Sequence, residues 1–515
     1  MKKFLLAVIA VLVCLSVVGC NKGWKSSVTD YSGEVSSNGG FAVEKGDYVY
    51  FINGIGDNTD DNSYGTPVKG SVVRVKKSEL TTADASANAE IVVPEMVYST
   101  KTDNSNGLFI FGDYIYYATP CAEKDSNGSI RNTELEYMKA KLDGSERKVV
   151  ATIASNSDDY RFVEIDGEVY LAINCKNDDG ENVLRVYSAS SCELVKESEV
   201  VSSYAFATDL NDGYAYYTTT VHNEDLDENE NFNALRKIAL DGSADEEVLN
   251  GAGTYTDKDN GIGIAGVTFE IVKYTGSHLY ISETTVQTSN IKNYKAVATS
   301  ELTTGEGASA ANYGKLITID NGSGLSSTVF ADTSIYIAPN RILYFDSSFG
   351  IMIYDYTKMS EPSLGRIKVF YDKDLVSYTF KFLKDDVAYF SDSTYYYSFN
   401  ISEVVDLTTG EIKKATPKVK RLTFSAVNSG WYLPEIVDDV LLASVSDDGF
   451  YSYVYAFDVN VANDKTQEEI DDYVADFNKS DREHFLKRHD LMAGIMSDSD
   501  KEAYDAYLNE TYPEE

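Results

Sequence analysis

Acidic loops are the segments of this chain whose residue types could support metal chemistry. Three oxygen-rich loops, at 57–62 (DNTDDN), 225–231 (DLDENEN) and 257–261 (DKDNG), offer carboxylate and amide oxygens, which calcium prefers as ligands. An EF-hand loop needs Gly at its sixth position and Glu at its twelfth, and the loops counted from Asp225 and Asp257 have neither. The sequence therefore predicts no cofactor, with Ca²⁺ as the alternative at these loops.

The chain has only four histidines, which are His222, His278, His484 and His489. Two metal ligands on one helical face need a spacing of three or four, whereas the last two histidines are five apart, and no HExxH motif occurs. Ser145 and Lys148 match the SxxK pattern, but they lie in a repeated turn without the companion motifs of that enzyme class. The sequence thus predicts no catalytic residue and no metal ligand.

Acidic residues are in strong excess. The 82 Asp and Glu outnumber the 45 Lys and Arg, which gives a formal charge of −37. Phosphate backbones and anionic lipid surfaces repel such a protein, so the composition excludes a nucleic-acid partner and excludes membrane binding through surface charge. The 39 tyrosines favour strands, because Tyr packs well on a pleated surface.

The first twenty residues have the layout of an export signal. Two lysines precede an apolar run at 4–18, and Gly19 and Cys20 close it. Such a run has the length of a signal peptide and is shorter than the roughly twenty residues that span a bilayer. The segment resembles the lipobox of bacterial lipoproteins, in which small residues precede a Cys, with Val17 here in place of the usual Leu.

That resemblance implies a lipid anchor. Cys20 would carry a diacylglycerol on its sulfur and become the mature N-terminus after cleavage next to Gly19. A signal peptide at 1–19 and a lipidated N-terminus with a tether at 20–37 follow, on the extracytoplasmic face of the cell membrane. An ordinary secretory signal cut near Gly19 and an uncleaved anchor are the alternatives.

One aromatic segment occurs eight times and organises the rest of the chain. It first appears at Gly46–Gly54, which reads GDYVYFING. The markers of its eight copies are Tyr50, Tyr116, Tyr170, Tyr216, Tyr280, Tyr344, Tyr389 and Leu442. They fall 45 to 66 residues apart and average 56. Turn residues such as Gly112-Asp113 usually precede the marker, which is typical of a tight turn that leads into a strand.

Each repeat contains four candidate strands. In the first repeat they are 41–44, 48–53, 71–76 and 91–93, and most are apolar at consecutive positions, as expected for burial on both faces. The pattern predicts a mainly-β fold. The predicted architecture is a β-propeller of about eight four-stranded blades over 38–461. Seven blades is the alternative, because the repeat at Ile342–Tyr356 is short.

A second marker follows the tyrosine. Leu142–Ser145 and Leu240–Ser243 both read LDGS, and Ile319–Ser323 is a looser copy. Asp-Gly supplies the positive φ that a tight hairpin needs. These segments therefore predict the turn between the third and fourth strands.

The two ends of the repeat array carry further expectations. The last repeat shows no clear fourth strand, and Val28–Val35 is a candidate closing strand for it. A C-terminal tail at 462–515 is predicted to be helical, because Thr466–Glu469 and two later segments read as capping boxes. Apolar residues then follow at helical spacing.

The GDYVYF-like and LDGS-like segments, behind a lipobox, resemble a known group of proteins. It is the TolB-like or low-density-lipoprotein-receptor-type propeller found in surface lipoproteins of Gram-positive bacteria. The resemblance covers roughly 38–461 and implies a propeller at the cell surface. It implies no catalytic residues, because both motifs are structural turns.

The sequence favours a binding module over an enzyme. Its ligand would be an envelope protein, a peptide or a glycan, bound by unrepeated loops such as 54–70, 121–134, 222–233 and 284–312. The alternative is a secreted polysaccharide-active or other hydrolytic or lyase enzyme with carboxylates or Tyr at a central channel. A third hypothesis is an assembly scaffold with a stable protein partner and no small ligand.

Overall fold

The structure is a computed structural model that describes most of the predicted propeller. The described residues are 26–36, 38–53, 71–80, 85, 89–93, 97, 107–124, 130–154, 159–206, 213–221, 232–256, 263–285, 292–320, 335–337, 341–346, 350–355, 366–370, 379–384, 386–391, 395–409, 411–413, 418–423, 435–445, 453–460, 466, 468–469, 471–472, 502 and 506. They form two compact units. Unit 1 contains 1–160, 189–192 and 422–515, and unit 2 contains 161–188 and 193–421.

Consecutive antiparallel meanders fill the described chain. Sheet 1 contains β1 (Ala42–Lys45), β2 (Tyr48–Ile52), β3 (Val72–Lys76) and β4 (Glu90–Val93). Sheet 2 contains β5 (Phe109–Phe111), β6 (Tyr114–Lys124), β7 (Ile130–Lys141) and β8 (Lys148–Ile153). Sheet 3 contains β9 (Asp159–Ile165), β10 (Glu168–Lys176), β11 (Asn182–Ser188) and β12 (Glu193–Glu197). Sheet 4 contains β13 (Ser203–Ala205), β14 (Tyr214–Val221), β15 (Phe232–Ala239) and β16 (Asp245–Asn250).

The later repeats continue the same pattern. A hairpin of β17 (Thr254–Thr256) and β18 (Gly263–Ala265) precedes sheet 5, which contains β19 (Val267–Tyr274), β20 (His278–Thr285), β21 (Lys292–Ala298) and β22 (Ile317–Asp320). Helix α1 (Ala308–Tyr313) lies in the connection between β21 and β22. Sheet 6 contains β23 (Ile335–Ile337), β24 (Arg341–Asp346), β25 (Gly350–Asp355) and β26 (Arg366–Phe370). Sheet 7 contains β27 (Thr379–Lys384), β28 (Val387–Ser391), β29 (Tyr396–Asn400) and β30 (Lys420–Arg421). Sheet 8 contains β31 (Glu435–Val437), β32 (Val440–Val445) and β33 (Tyr453–Asp458).

The fold class predicted from the sequence is confirmed. Four-stranded antiparallel meanders that follow one another along the chain are the blades of a β-propeller. Every repeat marker lies on the second strand of its sheet. The short repeat that suggested seven blades forms the four strands of sheet 6, so the described residues contain eight sheets of the repeat.

The predicted turns lie where the sequence places them. Gly46 and Asp386 have φ of 56° and 62° in the turn before the second strand, a conformation that a Gly or an Asp adopts more readily than other residues. The two LDGS segments connect the third and fourth strands of sheets 2 and 4. In the first of them Asp143 Oδ1 accepts from the amide of Ser145 at 2.9 Å. The looser copy was assigned wrongly, because Ile319 is part of the fourth strand β22.

A β-bulge interrupts the fourth strand in sheets 1 to 6. In sheet 1, Val72 pairs with Val93 and Val73 pairs with Ile91, so Val92 is the extra residue. By the same register the extra residues of sheets 2 to 6 are Val150, Val195, Val248, Ile319 and Val369. The bulge therefore belongs to the repeat, and a β-branched residue occupies it in each of these sheets.

Sheets 1 and 8 pack together within unit 1. Leu442 and Val454 of sheet 8 lie in one buried cluster with Tyr50 of sheet 1. The amide of Ala85, in the connection from β3 to β4, donates to the carbonyl of Val454 at 2.9 Å. The first and last repeats are thus joined by apolar packing and a backbone hydrogen bond.

Residues 26–36 lie against sheet 1. Val28 is buried in the core of unit 1, and Arg74 Nη1 on β3 donates to the carbonyl of Asp30. Sheet 8 has three strands in the described structure, so the closing strand expected at Val28–Val35 is not observed. The segment follows sheet 1 instead, because a buried guanidinium there binds its backbone.

Most of the C-terminal tail lies outside the described residues. Thr466 and Glu469 form the predicted capping box, in which the Thr466 amide donates to Glu469 Oε2 at 2.8 Å and the Glu469 amide donates to Thr466 Oγ1 at 3.3 Å. The helical tail itself is not confirmed and stays a prediction.

Candidate interaction surface and buried polar clusters

Most of the residues singled out from the sequence lie outside the described chain. Gly19 and Cys20 are among them, as are the three acidic loops that were weighed for calcium. So are His222, His484 and His489, and much of the four candidate binding loops. Among the described residues, no group of three or more His, Cys, Asp or Glu is placed to hold a metal ion. No helix in the described part of the chain is long and apolar enough to cross a membrane.

His278 is the one candidate histidine that the structure describes. It begins β20, and its Nδ1 lies 3.0 Å from the hydroxyl of the adjacent Ser277. Burial lowers the pKa of His278, and the nearby carboxylate of Glu301 opposes that shift in part. The contact joins two consecutive residues, Ser277 and His278, in the turn before β20. Its role is therefore to orient the imidazole in that turn.

A buried cluster of charged and phenolic groups occupies sheet 5. The carboxylate of Glu283 on β20 is fully buried, and its Oε2 accepts from Tyr313 Oη at 2.5 Å. Lys295 Nζ on β21 lies 3.7 Å from the same oxygen and 5.2 Å from the ring of Tyr313. In the described part of the chain, Glu283 Oε1 is buried and accepts no hydrogen bond. A buried charge with one open oxygen is costly, so the cluster depends on its remaining contacts.

Helix α1 brings Tyr313 to this cluster. The helix belongs to the long connection between β21 and β22, which is part of the predicted binding loop at 284–312. The fully buried Asn312 donates through Nδ2 to the carbonyl of Val248 at 2.9 Å and accepts from the amide of Thr303 at 3.0 Å. The connection therefore packs against sheet 4, where Asn312 binds the carbonyl of the bulged residue Val248.

A second polar cluster links three strands of sheet 4. Tyr217 on β14 donates to Asp245 on β16 at 2.7 Å, and Arg236 on β15 lies between them with Nε at 3.0 Å from each. Burial raises the pKa of Tyr217, and the hydrogen bond to the Asp245 carboxylate raises it further. The phenol stays protonated at neutral pH, so the triad acts as a cross-strand clamp.

Other Arg–carboxylate pairs join the third and fourth strands of sheets 1 and 3. Arg74 on β3 bonds Glu90 on β4 at 2.9 Å, and its Nη1 lies 3.3 Å from the hydroxyl of the repeat marker Tyr50. In sheet 3, Arg185 bonds Glu197 at 2.6 Å. Recurrence at equivalent strands indicates that these groups stabilise the repeat. Tyr50 packs in the core of its sheet, because its side chain is fully buried.

The outer edge of sheet 3 differs from the other fourth strands. Leu194, Val195 and Val200 are 46%, 41% and 42% exposed, and they are three of the four large apolar residues that are exposed in the described part of the chain. The bulged residues of sheets 1, 2, 4 and 5 are instead 0–3% exposed, and these are Val92, Val150, Val248 and Ile319. The position that Val195 occupies is thus buried in its described counterparts and open here.

The exposed strand continues past β12. The amide of Ser198 donates to Leu184 O at 2.9 Å, and the amide of Val201 donates to Asn182 O at 2.8 Å. We call residues 193–201 the β12 edge. Carboxylates surround its apolar residues, because Glu193, Glu197 and Glu199 are all exposed.

The turn from sheet 4 leaves this edge open. The LDGS turn at 240–243 approaches β12, and a Cβ added to Gly242 would lie 2.7 Å from Val195 Cγ2. The φ of Gly242 is +75°, so a side chain there would be strained as well. A short turn without a side chain at its tip covers little of Val195. The exposed apolar residues of the β12 edge and their rim of carboxylates make this edge the candidate interaction surface of the described chain.

Comparison with known proteins identifies no family. No protein-family model matches the chain, and no curated protein matches it. Among solved structures, an oligogalacturonate lyase from Vibrio parahaemolyticus is 10% identical and has a TM-score of 0.36, with 84% of this chain and all of that chain covered. A PL25 ulvan lyase is 10% identical with a TM-score of 0.32, covering 85% of this chain and 96% of the lyase.

A prolyl endopeptidase is also similar. It is 11% identical with a TM-score of 0.34 over 69% of this chain, and this chain spans 47% of its length. At these identities and TM-scores the likenesses assign neither fold nor function. The fold rests on the sheets themselves.

Proposed function

We propose that the protein is an extracytoplasmic lipoprotein, anchored through Cys20, whose β-propeller is a binding module for another protein of the cell envelope. The single observation that supports binding is the β12 edge, where the bulged Val195 is exposed although its described counterparts are buried. The polar clusters favour the same proposal over an enzyme. Their Arg, Tyr and acidic groups bond one another across strands and so stabilise the sheets. The lipobox supports the anchor.

A photo-crosslinking experiment in intact cells tests the binding function. The full-length protein would carry p-benzoylphenylalanine at Glu193, beside the apolar residues of the β12 edge. The matched control would carry it at Asp178, which is exposed in the turn between β10 and β11 of the same sheet. The expected result is a protein adduct from position 193 and none from position 178. Equal labelling from both positions, or none from either, would overturn the proposal.

The anchor has its own test. The Cys20→Ser variant is expected to lose metabolic labelling with palmitate and to appear in the medium, whereas Cys14→Ser, within the predicted signal peptide, should keep the label and stay with the membrane. Retention of the label by Cys20→Ser would exclude lipidation at this residue.

A further inference from the structure

We propose that the β12 edge binds a short basic amphipathic helix of the partner protein, seated as α1 is seated on sheet 4. This inference rests on the proposed binding function and specifies the partner's chemistry. It follows from a comparison of two equivalent strands of unit 2, of which one is covered by the chain itself and the other is open.

Helix α1 shows how a fourth strand of this repeat is covered. Its Asn312 donates to the carbonyl of the bulged Val248, and its Ser309 Oγ accepts from the amide of Asn250 at 2.7 Å. Ser309 and Asn312 are three residues apart and share one face of the helix. One helical turn thus satisfies two backbone groups of β16, and Val248 is fully buried.

The register gives the corresponding groups on the open edge. Val195 is the extra residue of β12 as Val248 is of β16, so the Val195 carbonyl and the Glu197 amide take the places of the two groups that α1 binds. In sheets 3 and 4, the connection between the third and fourth strands of the next sheet approaches the edge. Sheet 5 supplies a helix there, whereas sheet 4 supplies only the turn at 240–243.

The bulge also selects a helix over an added strand. An extra residue breaks the even spacing of outward N–H and C=O groups, and proteins use bulges to prevent edge-to-edge pairing. Side chains from a helix do not need that even spacing. An apolar face that meets Leu194, Val195 and Val200 would remove them from water.

The charge of the edge indicates the charge of the partner. Glu193, Glu197 and Glu199 are exposed around the apolar residues, and Lys196 is the one basic residue of 193–201. Arg185 bonds Glu197, and Arg236 lies 3.6 Å from Glu199. The carboxylate of Glu193 adds to the negative charge of the whole chain, which is −37. Lys or Arg beside the apolar face of the helix would complement this rim.

Mapping the cross-linked segment tests the inference separately from the binding function. The adduct formed from position 193 is digested, and mass spectrometry identifies the partner peptide. A synthetic peptide of that segment is then titrated with the full-length protein by fluorescence anisotropy, and its helicity is followed by circular dichroism. The expected segment is basic and amphipathic, gains helicity on binding, and binds at least about tenfold more weakly to Val195→Glu or Leu194→Glu.

The possible outcomes are distinct. A segment that binds in an extended conformation, an acidic or neutral segment, or a peptide from a second copy of this chain would overturn the helix proposal and leave a binding module. Affinity that does not fall when salt is raised from about 0.05 to 0.3 M would overturn the basic partner, because exposed charge pairs are screened at higher salt. No adduct from position 193 would overturn the proposed function itself.

Discussion

Asn312 donates its side-chain amide to the backbone carbonyl of Val248, 64 residues earlier in the chain. Asn312 lies on helix α1 in the connection from β21 to β22 and Val248 lies on β16, so a helix from one repeat covers the bulged fourth strand of the repeat before it. The contact has no counterpart at Val195 within the described residues, and the comparison between these two positions supports the proposed binding surface.

Removal of the Asn312 side chain should destabilise unit 2. Asn312→Ala leaves the carbonyls of Val248 and Thr303 and the amide of Thr303 without their buried partner. The expected loss is about 2–4 kcal/mol in the free energy of unfolding, measured by urea denaturation. Asn182→Ala is the control, because Asn182 is exposed at the start of β11, and it should change stability by less than about 0.5 kcal/mol. Similar losses for both variants would contradict the role of Asn312.

The Glu283 and Lys295 pair should be strongly coupled. Glu283→Ala leaves the ammonium of Lys295 buried without its carboxylate and should cost about 3–5 kcal/mol. Adding Lys295→Met removes that uncompensated charge, so the double variant should be less destabilised than the sum of the single variants by more than about 1 kcal/mol. A double-mutant cycle from denaturation curves measures this coupling. Additive effects would show that the two side chains do not interact.

The cross-strand clamps should differ in strength. In the Arg236 and Asp245 pair the side chains are 17% and 7% exposed, whereas in the Arg185 and Glu197 pair they are 18% and 37% exposed. Water screens the second pair more, so Arg185→Met should cost at most about 1 kcal/mol. Arg236→Met should cost about 2–3 kcal/mol, because it leaves a buried carboxylate. Thermal and urea unfolding would rank the variants, and the opposite order would refute the assignment.

Protonation of His278 should lower the stability of the protein as the pH falls. Burial holds the pKa of this imidazole below its ordinary value of 6.5, so below that pH the unfolded chain takes up a proton before the folded chain does. The wild-type protein should therefore lose stability relative to His278→Gln as the pH falls through about 6.5. Melting temperatures of both proteins between about pH 8 and 5 measure the difference. Parallel curves would show that His278 titrates alike in both states.

Residues 26–36 should be part of the cooperative core. Their deletion removes Val28 from a buried cluster and leaves Arg74 without the carbonyl of Asp30. A lower melting temperature with one cooperative transition is expected, whereas deletion of 21–25 alone should have little effect. An unchanged melting curve for the longer deletion would show that the segment is not required.

The repeat could be predicted from the sequence because local chemistry determines it. Tyr50 and its copies mark the second strands, and the Asp-Gly pair of Leu142–Ser145 requires a turn with positive φ. Such signals are carried by neighbouring residues, so a single chain is enough to detect them. The looser copy at Ile319 failed, because Asp-Asn-Gly without the rest of the motif does not distinguish a turn from the end of a strand.

The candidate surface could not be predicted in the same way. A bulge depends on the register between two strands, and an apolar run such as Leu194-Val195 reads alike whether it is buried or open. Exposure of Val195 depends on what the next sheet places over it, and the glycine at 242 is informative only once the turn is known to lie there. The path of Val28–Val35 was missed for the same reason, because Arg74 binds it from a strand more than forty residues away.

The yield of the adduct formed from position 193 in intact cells, compared between the protein with Val195 and the Val195→Glu variant, tests the central claim most directly. A carboxylate in the middle of the apolar edge would have to lose its water when the apolar face of the partner packs there, so the yield should fall at least about tenfold. Val195 is a surface residue, and the variant should keep the melting temperature of the parent protein. Equal yields from two equally stable proteins would contradict the assignment of the β12 edge as the binding surface.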